Sequence, residues 1–145
     1  MENRINIFEL EPKAYDAMLG FETYLQASPL QKTHKELIKI RASQINGCAY
    51  CIDMHTKDAM KHGETAQRIF MLNAWRESNL FNEEEKAILA LTEEVTRIHQ
   101  SGVSDTAYQA AAKLFDKNYL ALVILMIVAI NGWNRVMVAV QGQAG

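Results

Sequence analysis

Two cysteines stand three residues apart at Cys48 and Cys51, and a histidine, His55, follows four residues after the second. On one helix, at 100° per residue, the three side chains fall within about 60° of one another. Two thiols and an imidazole on a shared face form a redox set. One thiolate attacks, the other thiol closes a disulfide, and the imidazole moves the proton. Cys48 also opens the predicted helix, where free backbone N–H groups and the helix dipole favour a thiolate. Asn46 and Gly47 predict a tight turn just before it, which sends the preceding helix back antiparallel. Counted along that hairpin at 1.5 Å per residue, Glu36 and His55 differ in height by only about 3 Å, so Glu36 joins the candidate set.

Plainer readings compete for each of these residues. Cys48, Cys51, His55 and His62 are also conceivable zinc ligands, but structural zinc sites draw on separate elements, and these four would share one helix. The pattern therefore points to no metal and no other cofactor. Glu36 also suits a helical pair with Lys39, His55 a satisfied core histidine, and Tyr50 simple packing. His34, His62 and His99 show no partner pattern and are expected in solvent. Trp75, Trp133 and the seven methionines are expected in the core or an interface.

The elements that would position the set are all helical. Pro12 suits an opening helical turn and starts a helix to about Leu25. Ser28, Pro29 and Gln31 predict the cap of a second helix ending near Ile45. The cysteine helix runs from Cys48 to near Gly63. A short helix follows over 65–72, then an irregular connection over 73–81. Asn82 with Glu85 makes a capping box for a helix to about His99. Ser104 caps the next, to about Phe115, and the last runs from about Asn118 to Val140. No strand alternation bounded by turns occurs, so the fold class is all-α, a bundle of about six to seven helices.

Composition narrows the function further. The chain has 145 residues, 49% hydrophobic and 22% charged, with 15 basic against 17 acidic residues, which predicts one domain over 1–145. No basic block or stripe appears, which argues against a nucleic-acid partner. Met1 to Leu10 lacks the pattern of a secretory signal, so a cytoplasmic protein is expected. In such a compartment a pair of cysteines reads as redox-active. The longest apolar run, Tyr119 to Ile130, stops well short of the roughly 20 residues that span a bilayer, so no membrane partner is expected. That run is apolar on every side and must be covered all round, which favours a homo-oligomer.

Glu36-Leu37-Ile38, the stretch from Arg41 to Cys51 and His55 together resemble the core motif of the alkylhydroperoxidase AhpD-like proteins of the carboxymuconolactone decarboxylase superfamily. The stretch Ile130-Asn131-Gly132-Trp133-Asn134-Arg135 is similar to that family's closing helix. The resemblance implies an all-α fold assembling as trimers or hexamers, with the active site on the antiparallel hairpin. It also implies a thiol-dependent peroxidase acting on an organic hydroperoxide or hydrogen peroxide. By position, Cys51 would be the peroxidatic cysteine and Cys48 its resolving partner, with Glu36 and His55 as the proton relay. Some peroxidase members carry a histidine where Tyr50 stands here. A dithiol reductant, thioredoxin-like or lipoyl-bearing, would reset the disulfide.

Two other functions compete. One is a lactone decarboxylase-type enzyme, as the superfamily name suggests, although that chemistry has no need of two thiols. The other is a non-enzymatic oligomer using the disulfide as a redox switch. A thioredoxin-type reductase is disfavoured, because no strands are predicted and both prolines precede Cys48, leaving none for a cis-proline after the motif.

Overall fold

The structure, a computed structural model, describes residues 3–144; Met1, Glu2 and Gly145 lie outside the described residues. Among the described residues the structure is all-α, without a strand. The order is α1 (Ile7–Leu10), α2 (Pro12–Gln26), α3 (Lys32–Asn46), α4 (Ala49–Lys61) and α5 (Ala66–Phe70). A 3₁₀ turn (Leu72–Glu77) leads to α6 (Glu83–Thr96), α7 (Ile98–Ser101), α8 (Asp105–Leu114) and α9 (Lys117–Val140).

Local chemistry sets most of the boundaries. Pro12 occupies the first turn of α2, where its missing N–H costs nothing. Asn82 and Glu85 close the capping box at α6, each side chain accepting from the other residue's backbone N–H. Ser104 caps α8 by accepting from the Ala107 N–H. Asp116 accepts from the Tyr119 N–H and starts α9 one residue earlier than expected. Gly47 ends α3 at φ 64°, ψ 33°, a left-handed conformation that costs a side-chain-bearing residue about 1–2 kcal/mol.

Other expectations are corrected. Ser28 caps no second helix: its hydroxyl donates to the Leu25 carbonyl and closes α2, and α3 starts only at Lys32. The connection over 73–81 contains most of the 3₁₀ turn, and its Trp75 is 5% exposed. The helix expected to reach His99 breaks at Arg97, so Ile98 faces solvent. The four-residue α1, capped by Asn6, went unpredicted because it is too short for periodicity to show.

Helix α3 lies at the centre, packed against α4, α6 and α9. On one side Ile38 and Ala42 join Ile88, Leu91, Val123, Met126, Ile127 and Ile130. On the other, Leu37 and Ile40 join Leu72, Trp75, Phe81 and Leu89. Ten consecutive residues, His34 to Ser43, are buried. The charges among them are partnered: Lys35 donates to the Gln26 carbonyl at 2.7 Å, Lys39 pairs with Glu22 at 2.8 Å, and Arg41 with Glu93 at 2.8 Å. Glu93 also holds Arg76, at 2.7 Å.

His34 is buried rather than solvated. Its Nδ1 lies 2.6 Å from the Tyr119 hydroxyl, which accepts from the Gln31 N–H. Burial disfavours its charged form, against the pull of Glu84 and Glu85. His99 is exposed, as expected.

Helix α9 has nearly the expected bounds, but its apolar stretch is longer than the unbroken run of apolar letters. It runs 24 residues with a stretch of mean hydropathy 1.8, long and apolar enough by length and composition to cross a membrane. Counting the unbroken run stopped too early, because Asn131 and Gly132 interrupt the letters but not the helix. Only 33% of that stretch is buried, and Leu125 and Val128 remain exposed on the single chain. The helix is therefore not covered all round within one chain.

Candidate active site

The hairpin of α3 and α4 carries the cysteines. Cys48 is the N-cap of α4, and its sulfur accepts from the Cys51 N–H at 3.4 Å. Cys51 sits one turn in, so both thiols lie at the positive end of the helix. The two are joined as a disulfide across a Cα separation of 5.3 Å, and each is 1% exposed. The C-x-x-C spacing thus brings the two sulfurs within disulfide-bonding reach.

The turn is held in place by α9. The Asn46 amide donates to the side-chain oxygens of Asn131 and Asn134, both at 2.9 Å. Asn134, 0% exposed, donates in turn to the Ser43 hydroxyl at 3.0 Å. Asn131 reaches Thr96 on α6 at 3.0 Å. These amides explain why an apolar helix contains the stretch Asn131 to Arg135: it clamps the hairpin that bears the cysteines.

A cavity of about 910 Å³ opens beside this clamp. Cys51 and His55 line it, as do Tyr50 and Met54, whereas Cys48 does not. Its other walls come from the amino-terminal segment, from α2 and from α9. Phe8, Tyr15 and Trp133 form an aromatic cluster there, with ring centroids 4.4, 5.9 and 6.2 Å apart.

His55 is held neutral. Burial pushes its pKa from 6.5 to about 4; the Lys39 ammonium adds to that, while Glu22 and Asp58 oppose it. Glu22 belongs to the cavity wall. Its carboxylate pairs with Lys39 at 2.8 Å, accepts from Gln26 at 2.9 Å and accepts from the Trp133 indole at 3.3 Å. Burial alone would raise the Glu22 pKa, but the Lys39 hydrogen bond and charge hold it below the usual carboxylate value.

Glu36 takes a different neighbour from the one expected. Its carboxylate stands 3.8 Å from His62, near the far end of α4. Burial raises its pKa, against the pull of Lys32 and His62. Counted from the turn, Lys39 stands about 1.5 Å from the level of His55 and Glu36 about 3 Å beyond it along α3. His62, expected without a partner, thus has one in Glu36 and another in the Asp58 carbonyl at 2.7 Å.

The sequence reading missed Glu22 and Lys39 as neighbours of His55, and it placed Trp133 only as core or interface. Nothing in the spacing of Glu22 signals its role, since α2 reaches the site through tertiary packing alone. Trp133 had a signal, because it lies within the motif-like stretch of α9. Among the described residues, no three His, Cys, Asp or Glu side chains converge on a point that could hold a metal ion.

Comparison with known proteins places this geometry in context. The family model for the carboxymuconolactone decarboxylase family matches residues 12–94. The uncharacterized protein YdfG of Bacillus subtilis is 43% identical over 144 residues, covering 99% of this chain and 98% of that one. A crystal structure from Agrobacterium tumefaciens, of a protein of unknown function assigned to AhpD antioxidant defence, superposes with a TM-score of 0.95 at 38% identity, covering 99% of both chains. An uncharacterized peroxidase-related protein with an alkylhydroperoxidase AhpD core, from Ralstonia eutropha, shares the fold, with a TM-score of 0.78 at 17% identity, covering 96% of this chain and 74% of that one.

Proposed function

The chain belongs to the carboxymuconolactone decarboxylase family and is AhpD-like in fold, and we propose that within it the protein is a thiol-dependent peroxidase. The observation that carries the reading is the placement of Cys51: it faces the cavity together with His55, while Cys48 lies behind it within bonding reach. The helix dipole alone favours Cys48 as the thiolate, but a peroxide in the cavity can meet only Cys51.

In the reduced enzyme the Cys51 thiol gives its proton to neutral His55, and the thiolate attacks the terminal peroxide oxygen. The O–O bond breaks, Cys51 becomes a sulfenic acid, and the alkoxide leaves as an alcohol after taking a proton from His55. The Cys48 thiol then attacks the sulfenic sulfur; a disulfide forms and water leaves. A dithiol donor reduces the disulfide and is itself oxidised to a disulfide. Glu36, a carboxyl that burial biases towards keeping its proton, serves the outer end of the relay through His62. Tyr50 borders Cys51 and shapes the approach.

The wider assignments follow from this reading. The substrate is an organic hydroperoxide or hydrogen peroxide, and the reductant a thioredoxin-like or lipoyl protein. The chain acts as one domain over 1–145 in a soluble, cytoplasmic homo-oligomer, a trimer or hexamer, with the exposed face of α9 as subunit contact. A peroxidase assay with several dithiol donors tests the core of it. Turnover lost in Cys51→Ser supports the reading. Reversible disulfide formation without turnover would instead indicate a redox switch, and turnover of a lactone would indicate the decarboxylase-type chemistry.

A further inference from the structure

The cavity beside Cys51 is far larger than a hydrogen peroxide molecule needs, and its volume of about 910 Å³ falls in the range of sites that enclose whole organic ligands. Much of the wall shared with the cysteine is aromatic and thioether surface: Phe8 and Tyr15 from the amino-terminal part, and Trp133 and Met137 from α9. Aromatic rings and methionines bind apolar and ring-bearing groups through dispersion and ring edges, without asking for charge.

The charged groups of the wall narrow the class further. Arg4 and Glu22 are the charged side chains among the described lining residues. Arg4 is solvent-exposed and donates to the Ala139 carbonyl at 2.9 Å. Glu22 is the inner one, and the cation that neutralises it, Lys39, is engaged at 2.8 Å. His55, the remaining candidate cation, is uncharged. An anionic ligand pushed towards Cys51 would meet a carboxylate and find no free cation deep in the site, at a large desolvation cost.

Resting on the peroxidase reading, we propose that this cavity is a binding site for a neutral, ring-bearing organic hydroperoxide, its ring against Phe8, Tyr15 and Trp133 and its peroxide group at Cys51. Such a site discriminates against hydrogen peroxide, which cannot use the aromatic wall, and against hydroperoxides bearing a carboxylate. It also disfavours carboxylate-bearing lactones.

The test compares substrates on the wild-type protein with a fixed dithiol donor. Cumene hydroperoxide, its para-carboxylate, the methyl ester of that carboxylate, and hydrogen peroxide are the four probes. The expected order in kcat/KM puts cumene hydroperoxide and the ester at least about tenfold above both the carboxylate and hydrogen peroxide, the factor that one modest contact supplies. Equal values for ester and carboxylate, or a preference for hydrogen peroxide, overturn the proposal while leaving the peroxidase reading intact.

If no probe is reduced, the peroxidase reading fails, and binding decides the cavity separately. Cumyl alcohol and its para-carboxylate are titrated against the disulfide form by calorimetry. The neutral alcohol should bind, the carboxylate at least about tenfold more weakly, and Trp133→Leu or Phe8→Ala should each weaken the alcohol. Equal affinity for both probes, or no effect of either substitution, rejects the site.

Discussion

Protonating His55 should cost the folded protein far more than the unfolded chain. Burial, reinforced by Lys39, holds its folded pKa at about 4 against 6.5 unfolded. For a histidine with a depressed pKa, the unfolded state binds the proton first as pH falls. Stability is therefore full above about pH 6.5, declines between 6.5 and about 4, and levels off below. Integrating the two titrations gives a loss of about 2 kcal/mol by pH 5 and about 3 kcal/mol by pH 4. The assay is urea unfolding at about pH 7.5 and about pH 5 without reductant, so that the disulfide persists, for wild type and His55→Gln. Glu22, Glu85 and Glu93, whose pKa values are lowered, also withdraw stability as pH falls, but both proteins carry them. The wild type should lose about 2 kcal/mol more than the variant over that interval. Equal losses would refute the claim that His55 is held neutral.

Three substitutions probe the frame that holds the site. Glu93→Gln strips the buried Arg41 of its carboxylate partner and should lower stability by about 3–5 kcal/mol, read as a shift in urea midpoint. Asn134→Ala removes one of the two amides that tie the Asn46 turn to α9, and the buried Ser43 hydroxyl loses its donor, which should cost about 1–3 kcal/mol by the same measurement. Gly47→Ala meets no neighbouring atom within 4 Å, so only its positive φ opposes the change, and about 1–2 kcal/mol should be lost.

Helices α3 and α9 show what the letters carry and what they do not. The sequence reading of α9 made it the helix covered all round, because it is apolar all round; on the single chain a third of its apolar stretch is buried. Helix α3 carries Lys35, Glu36, Lys39 and Arg41 in its middle and is nevertheless the most enclosed helix of the fold. Hydropathy counts side chains one at a time, whereas burial of α3 depends on partners supplied by α2, α4 and α6. Those partners are tertiary facts that no local pattern encodes.

The site divides along the same line. Cys48, Cys51, His55 and the Gly47 turn are local, separated by less than three helical turns, so helical geometry alone places them together. Caps at Asn82 and Ser104 were legible for the same reason. Glu36 was assigned to His55 by height along the hairpin, but height leaves the rotation of α3 about its axis free, and the structure gives Glu36 to His62. Glu22 and Trp133, 33 residues before and 78 residues after His55, share its cavity only because α2 packs on α9 and α9 packs on the hairpin. The polar stretch of α9 was noticed as a motif, and its purpose became readable only when Asn131 and Asn134 were seen to hold Asn46.

The central claim is that Cys51 attacks a peroxide in the cavity and Cys48 resolves it. Its most direct test is sulfenic-acid trapping with dimedone on the two single variants, exposed to one equivalent of cumene hydroperoxide and mapped by mass spectrometry. The account predicts a stable adduct at Cys51 in Cys48→Ser and none at Cys48 in Cys51→Ser. An adduct at Cys48 in Cys51→Ser with none at Cys51 in Cys48→Ser would contradict it.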